Sequence, residues 1–339
     1  MKTSDFDYHL PPGQIAQEPA EPRDASRLLV LDRRSGTRRH AIFNQLPDLL
    51  HPGDLLVVNR SRVILARLAA RKVPGGGKAE VLLLEKVHAV QWKALVGGKG
   101  LNPGKQLELE NGTQATIEQD LGGAQRLLTF QKPIDADLAR LGAVPLPPYI
   151  HTRLADPERY QTVYAREPGS AAAPTAGLHF TPELIARIKA RGVRFAELAL
   201  HIGLDTFAPV TEADPRRHAI HTEWGRMPEQ AAQLVNETRA QGGRVIAVGT
   251  TAVRLLESAA ANATQGIVKA FEGRTHLFIL PGYKFKVVDA LLTNFHLPRS
   301  TLLMLVSAFA GRELILDTYR AAIADGYRFY SFGDAMFIV

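Results

Sequence analysis

Between about Val63 and Leu141 the chain is broken every 10–15 residues or so by glycine, proline and asparagine, and this limits the fold more than any other feature of the sequence. The breaks are Pro74-Gly75-Gly76-Gly77, Gly97-Gly98-Lys99-Gly100, Asn102-Pro103-Gly104, Asn111-Gly112 and Gly122-Gly123. The segments between them read as short strands: Val63–Leu68, Ala79–Glu85, Gln91–Val96, Gln106–Glu110, Ala115–Gln119 and Arg126–Gln131. Asn-Gly between two such runs is a strong hairpin signal, because both residues tolerate the positive φ that a tight turn requires. Five or six short strands at this spacing predict a small closed or nearly closed barrel.

The flanks read differently. Thr181-Pro182 predicts a capped helix running to Gly192, and Val193–Leu200 a strand after it. Pro228 opens a second helix that ends at Gly242-Gly243, followed by a buried strand at Arg244–Val248 and a helix from Ala252 to about Ala260. Leu277–Leu280 (LFIL) reads as a further buried strand, and Ser300 caps an apolar helix ending near Gly311. A helix over Glu313–Ala324 and strands at Arg328–Phe332 and Ala335–Val339 close the chain. Strand–helix–strand alternation predicts an α/β layer with a mostly parallel sheet. The expected fold is an α/β core domain, residues 1–61 and 149–339, with a small β-barrel inserted at 62–148; Pro145-Leu146-Pro147-Pro148 serves as the return linker.

Composition narrows the chemistry. A chain of 339 residues suits about two domains and needs no covalent staple to fold. It has no cysteine, which excludes a disulfide framework, a zinc ribbon, an iron–sulfur cluster and a thiol nucleophile. The net charge of +7 suits a polyanionic partner such as tRNA or DNA, and equally a merely solvated basic surface. The polar, acidic start is not that of a signal peptide, and the longest apolar run, Leu302–Ala310, is far short of the roughly 20 residues a membrane span requires. A cytoplasmic protein is expected.

Several polar stretches could carry chemistry. Pro174–Pro182 is a small-residue loop entering a helix N-terminus, where Thr175 and Gly177 allow an anion to approach and His179 titrates near neutrality; a capped loop with a structural histidine reads equally well. His201 follows a strand in Leu200–Phe207, where α/β folds collect ligands, or is a satisfied core histidine. On a helix, His218 and His221 would share a face suited to a metal, but no further acidic cluster accompanies them; on a strand, His221 and Glu223 share a face as an acid/base couple. Gly249, Thr250 and Thr251, with Arg254 a turn later, form an anion or ribose cradle or a structural turn, and no glycine-rich dinucleotide fingerprint is present. Tyr283-Lys284-Phe285-Lys286 has the alternation used to stack a base beside a phosphate, and also that of an amphipathic strand. Asn294, His296 and Arg299 lie in another polar loop that opens a helix, and Arg33-Arg34 with Arg38-Arg39-His40 suggests a basic hairpin.

Together these segments resemble the S-adenosylmethionine:tRNA ribosyltransferase-isomerases of queuosine biosynthesis. The strings that carry the resemblance include Phe6–Pro11, Arg23–Leu29, Leu146–Ile150, Arg159–Ala165, Ala173–Phe180 (APTAGLHF), Leu200–Gly203 (LHIG), Val248–Thr251 (VGTT), Pro281–Ala290 (PGYKFKVVDA), Thr293–Leu305 (TNFHLPRSTLLML) and Ser331–Met336, in order along essentially the whole chain. The resemblance implies an α/β core with an inserted barrel. It also implies that S-adenosylmethionine is a co-substrate donating ribose, and that tRNA carrying 7-aminomethyl-7-deazaguanine at the wobble position is the acceptor. The products would be epoxyqueuosine-tRNA, adenine and methionine. Such chemistry requires a base to take a proton beside the sulfonium and an acid to help adenine leave, and no metal or tightly bound cofactor. His179, His201, His221 and Glu223 are the proton-transfer candidates, with Asp334 in reserve. Thr175, Gly177, Gly249, Thr250, Thr251, Arg254, Tyr283, Lys284, Asn294, His296 and Arg299 are candidates for binding substrate. The methionine carboxylate suits a helix N-terminus, before Thr181, Ala252 or Thr301. The sequence departs from the family pattern at Arg60 and Leu65, which replace an acidic residue and a proline, and at Asp205, which replaces a glycine. The alternatives are a tRNA-binding member with weakened or lost catalysis and an S-adenosylmethionine-dependent tRNA methyltransferase. A monomer is expected.

Overall fold

A computed structural model describes residues 1–152, 154–203, 210–220, 222–261, 263 and 266–339, so the candidate His221 and the departure at Asp205 lie outside the described residues. The chain forms two compact units. One comprises Met1–Ser61, Pro148–Glu167 and Ala173–Val339; the other comprises Arg62–Pro147 and Pro168–Ala172.

The larger unit is built on a nine-stranded sheet. Its first three strands are β1 (Arg27–Leu31), β2 (Arg38–Ile42) and β3 (Leu55–Asn59). In the smaller unit, β4 (Arg67–Val73), β5 (Lys78–His88), β6 (Gln91–Gly97), β7 (Gln106–Leu109), β8 (Gln114–Gly122) and β9 (Gln125–Phe130) pair antiparallel in the order β4-β5-β6-β9-β8-β7. A β4–β7 ladder, Ala70 opposite Leu109, closes them into a six-stranded barrel. Leu68, Val81, Leu83, Ala94, Ile117 and Leu128 are buried in the interior, and most of their strand neighbours are at least partly exposed. The Asn111-Gly112 turn forms as expected, Gly112 at φ 81°. The first barrel strand is Arg67–Val73, not the predicted Val63–Leu68. Its charged residues alternate outward, whereas the more apolar Ile64–Ala66 is extended without a ladder.

The sheet of the larger unit is completed by β10 (Arg194–Leu200), β11 (Glu223–Met227), β12 (Val245–Val248), β13 (Phe271–Thr275), β14 (Ala290–Asn294) and β15 (Ala335–Ile338), in the order β13-β11-β10-β3-β12-β14-β15-β1-β2. The strands β10, β3, β12 and β14 run parallel, while β11, β13 and β15 join antiparallel. The sheet is thus mixed, with parallel pairing concentrated at its centre. Period-two burial divides the core between two faces: Leu29, Leu31, Leu55, Val57, Val245 and Leu291 pack on one side, and Leu28, Val30, Leu56, Val58, Ile246 and Leu292 on the other. Each such side chain contributes about 1.5–3 kcal/mol on burial.

The helices are α1 (Pro182–Ala190), α2 (Glu229–Ala240), α3 (Thr250–Ala261), α4 (Thr301–Ala310) and α5 (Arg312–Ala324). The predicted caps are present: Thr181 Oγ1 accepts from the Leu184 amide at 3.1 Å, and Ser300 Oγ from Leu303 at 3.1 Å. Two predicted strands are absent. Leu277–Leu280 is a half-buried loop whose first residue bonds to side chains, Leu277 N donating to Thr275 Oγ1 and Leu277 O accepting from Arg254. Arg328–Phe332 is a tight turn with one bridge, Phe329 to Ile15, because Asp334 takes the Arg328 amide and Tyr330 adopts φ 72°.

Candidate functional site

The carboxyl ends of the parallel strands collect the polar residues of the larger unit, as open α/β sheets do where ligands bind. Asn59 ends β3 and locks it to β10: its Oδ1 accepts from the Leu200 amide at 3.1 Å and its Nδ2 donates to Leu200 O at 2.9 Å. Gly249, at φ 89°, turns β12 into α3, and Asn294 ends β14.

His179 and Asn294 form one buried cluster. Asn294 Nδ2 donates to Tyr330 O at 3.0 Å and to His179 Nε2 at 3.3 Å, so His179 carries its proton on Nδ1 and donates to Ser26 Oγ at 2.8 Å. The imidazole stacks on Phe43, with ring centroids 4.9 Å apart. Burial first, then the cations of Arg328 and Arg23, push its pKa down to about 3, so it is neutral near pH 7. With both ring nitrogens engaged, His179 orients the amide of Asn294. That amide's Oδ1 is buried with no partner among the described residues.

Asn294 lines a cavity of about 30 Å³ with Thr175, His296, Tyr149, Tyr330 and Ser331. The rings of Tyr149 and Tyr330 lie 4.6 Å apart, and the Tyr149 hydroxyl is 2.8 Å from Ser331 Oγ. His296 Nε2 lies 2.8 Å from Thr293 Oγ1, and burial pushes its pKa down to about 3. The sequence reading missed Ser26, Phe43, Tyr149, Tyr330 and Ser331, although Ser26, Tyr149 and Ser331 sit inside the family strings.

A second, smaller cavity of about 20 Å³ shares Leu302 with the first. Glu223 opens β11 and is 4% exposed; Arg254 projects from α3 at 5%. They form a buried ion pair, and Glu223 also accepts from the Gly203 amide at 3.3 Å. His218, Ile220, Leu277, Phe278 and Thr301 line the same space. His218 is in extended backbone bonded to Glu212, not on a helix, which removes the metal-binding geometry the sequence allowed. Among the described residues no three metal-ligating side chains converge. No described helix is long and apolar enough to cross a membrane.

The other candidates are scattered. His201 packs on Trp224, ring centroids 5.1 Å apart. Asp334 accepts the amides of Arg27 and Arg328 at 2.9 and 2.8 Å and so ties the chain together. Thr250 and Thr251 are buried in the first turn of α3, and Thr251 Oγ1 has no partner. Tyr283 packs edge-on to Phe285 and donates to the fully buried Glu257 at 3.0 Å. Tyr283 is half-buried, and Lys284 is exposed. Arg299, exposed at φ 58°, donates its amide to Phe6 O. Arg60 pairs with Glu167 at 2.9 Å and Glu197 at 3.7 Å and lines neither pocket.

Gly177 is close-packed by protein and offers no surface to a ligand: a Cβ there would overlap the Tyr164 hydroxyl and lie 2.8 Å from Thr162 Cγ2. Gly177→Ala is therefore expected to destabilise the fold by about 1–3 kcal/mol, read from the urea midpoint. An unchanged midpoint would show that the loop yields freely.

Fold and site together define an α/β protein with polar cavities at one end of a parallel sheet centre and an antiparallel barrel as its second unit. The chain belongs to the queuosine biosynthesis protein family, whose model matches residues 3–338. It is 54% identical over 344 residues to an S-adenosylmethionine:tRNA ribosyltransferase-isomerase of Moorella thermoacetica, covering 100% of both chains. Against the protein of that name from Thermus thermophilus the identity is also 54%, over 98% of each chain. The crystal structure of an S-adenosylmethionine tRNA ribosyltransferase from Thermotoga maritima superposes with a TM-score of 0.58 at 42% identity, over 99% of this chain and 100% of that one.

Proposed function

We propose that this protein transfers and isomerises the ribosyl group of S-adenosylmethionine onto the aminomethyl group of 7-aminomethyl-7-deazaguanine at the tRNA wobble position, releasing adenine and methionine and giving epoxyqueuosine-tRNA. The observation that carries the reading is end-to-end similarity at 50% identity or more to relatives bearing that enzyme name. The reaction needs no metal. The sulfonium acidifies the carbon beside it, a base removes that proton, adenine departs more readily when protonated, and the attacking amine must be neutral.

The site supports a division of labour. Asn294 Oδ1, its orientation set by His179 and Tyr330, accepts an amino N–H of the bound base, and the Tyr149–Tyr330 pair supplies a flat wall beside it. Glu223, held by Arg254, and His221 are the acid/base couple. Residues 1–61 and 149–339 act as the catalytic core, with 62–148 inserted, and the enzyme works as a cytoplasmic monomer. Arg60 spends its charge on Glu167 and Glu197, so its departure from the family pattern leaves catalysis intact.

Incubation with S-adenosylmethionine and precursor-bearing tRNA, followed by nucleoside mass spectrometry, is expected to show epoxyqueuosine with free adenine and methionine. S-adenosylhomocysteine as the product would instead mark a methyltransferase. Salt-sensitive tRNA binding with no adenine released would mark a member that binds without catalysis.

A further inference from the structure

We propose that the space between Arg254 and the start of α4 is the subsite for the carboxylate of the sulfonium substrate's methionyl end; this rests on the S-adenosylmethionine reading above. Arg254 is 5% exposed. Its Nη1 is paired with Glu223 and its Nε donates to Leu277 O at 3.1 Å, but its Nη2 is buried with no partner among the described residues. A buried guanidinium N–H without an acceptor is costly, and a ligand oxygen removes that cost. Carboxylate is the preferred partner because it accepts charge-assisted bonds from the planar guanidinium.

The second donor set is backbone. Ser300 Oγ occupies the Leu303 amide, while the amides of Thr301 and Leu302 precede the first intrahelical bond of the ten-residue α4. Amides and helix dipole together favour an anion at that point. Thr301, Leu302 and Arg254 line one small cavity of about 20 Å³, whose apolar wall includes Phe278 and Leu305. Leu302 also lines the Asn294 pocket, so the two spaces adjoin across one side chain. The start of α1 is a poorer anion site, since Asp24 lies 3.5 Å from Thr181 and Glu183 stands in the first turn.

The test is calorimetric binding of S-adenosylmethionine and of its decarboxylated analogue, which keeps the sulfonium and nucleoside. The wild-type protein is expected to prefer the carboxylate-bearing ligand by about ten- to a hundredfold. Thr301→Pro removes one amide donor at a position where proline suits a helix, and Ser300 already has the extended backbone that precedes proline. Arg254→Lys keeps a cation for Glu223 while removing the second donor. Each is expected to bring the preference down toward unity and to change affinity for the decarboxylated analogue by less than about threefold. Equal wild-type affinity for the two ligands, or variants that weaken both alike, would overturn the subsite. Failure of the wild-type protein to bind S-adenosylmethionine at all would overturn the underlying functional reading instead. Should Arg254→Lys not fold, the wild-type preference and Thr301→Pro still decide.

Discussion

Glu223→Ala is expected to lower the unfolding free energy by about 3–5 kcal/mol and turnover by at least about a hundredfold. The first loss follows from stranding Arg254, a cation 5% exposed that keeps only the Leu277 carbonyl as an acceptor. The second follows from removing a proton-transfer group. A double variant recovers the first: Glu223→Leu with Arg254→Met buries no unpaired charge and should regain most of the stability, while staying inactive because the proton-transfer group and the carboxylate anchor are both gone. Urea titration and the adenine-release assay read the two effects. Full turnover in the double variant would take Glu223 out of the chemistry. His221→Ala is the companion measurement, and wild-type rates in both single variants would remove the couple from the mechanism.

The second large effect is loss of stability in acid. His179 and His296 are buried, and their pKa values fall from 6.5 to about 3. In the unfolded chain both titrate near 6.5, so below that pH the unfolded state binds protons that the folded state does not. Their neutral burial therefore costs nothing above pH 6.5, and stability is lost as pH falls from 6.5 toward 3. Each histidine contributes a slope of up to about 1.4 kcal/mol per pH unit in that window. Unfolding free energies measured from pH 7 to 4.5 should fall along this slope, and the two imidazole NMR signals should stay flat until the protein unfolds. A midpoint near 6.5 for either ring would show that it is not sealed from solvent.

Much of this was legible in local chemistry. Asn111-Gly112 and the glycine-rich breaks foretold the barrel, because turn geometry depends on a few adjacent residues. Thr181 and Ser300 foretold helix starts, because a cap bonds an amide three residues on. The family strings likewise located Asn294, His179 and Arg254. Leu277–Leu280 was misjudged because four apolar residues look alike in a strand and in a half-buried loop; the difference is whether neighbours supply a ladder or side chains. The aromatic–basic alternation at Tyr283 did not reveal its bond to Glu257, which depends on a residue 26 positions away.

The sequence by itself thus determined where turns, caps and alternating faces fall, and which family the chain resembles, since these signals depend on residues a few positions apart. Only the tertiary structure decided that Glu223 meets Arg254 across 31 positions, that Tyr164 packs against Gly177, and that the Nη2 of Arg254 and the Oδ1 of Asn294 have no partner among the described residues. Those outcomes depend on which distant elements the sheet order brings together, and burial then sets the energy of every charge and amide caught between them.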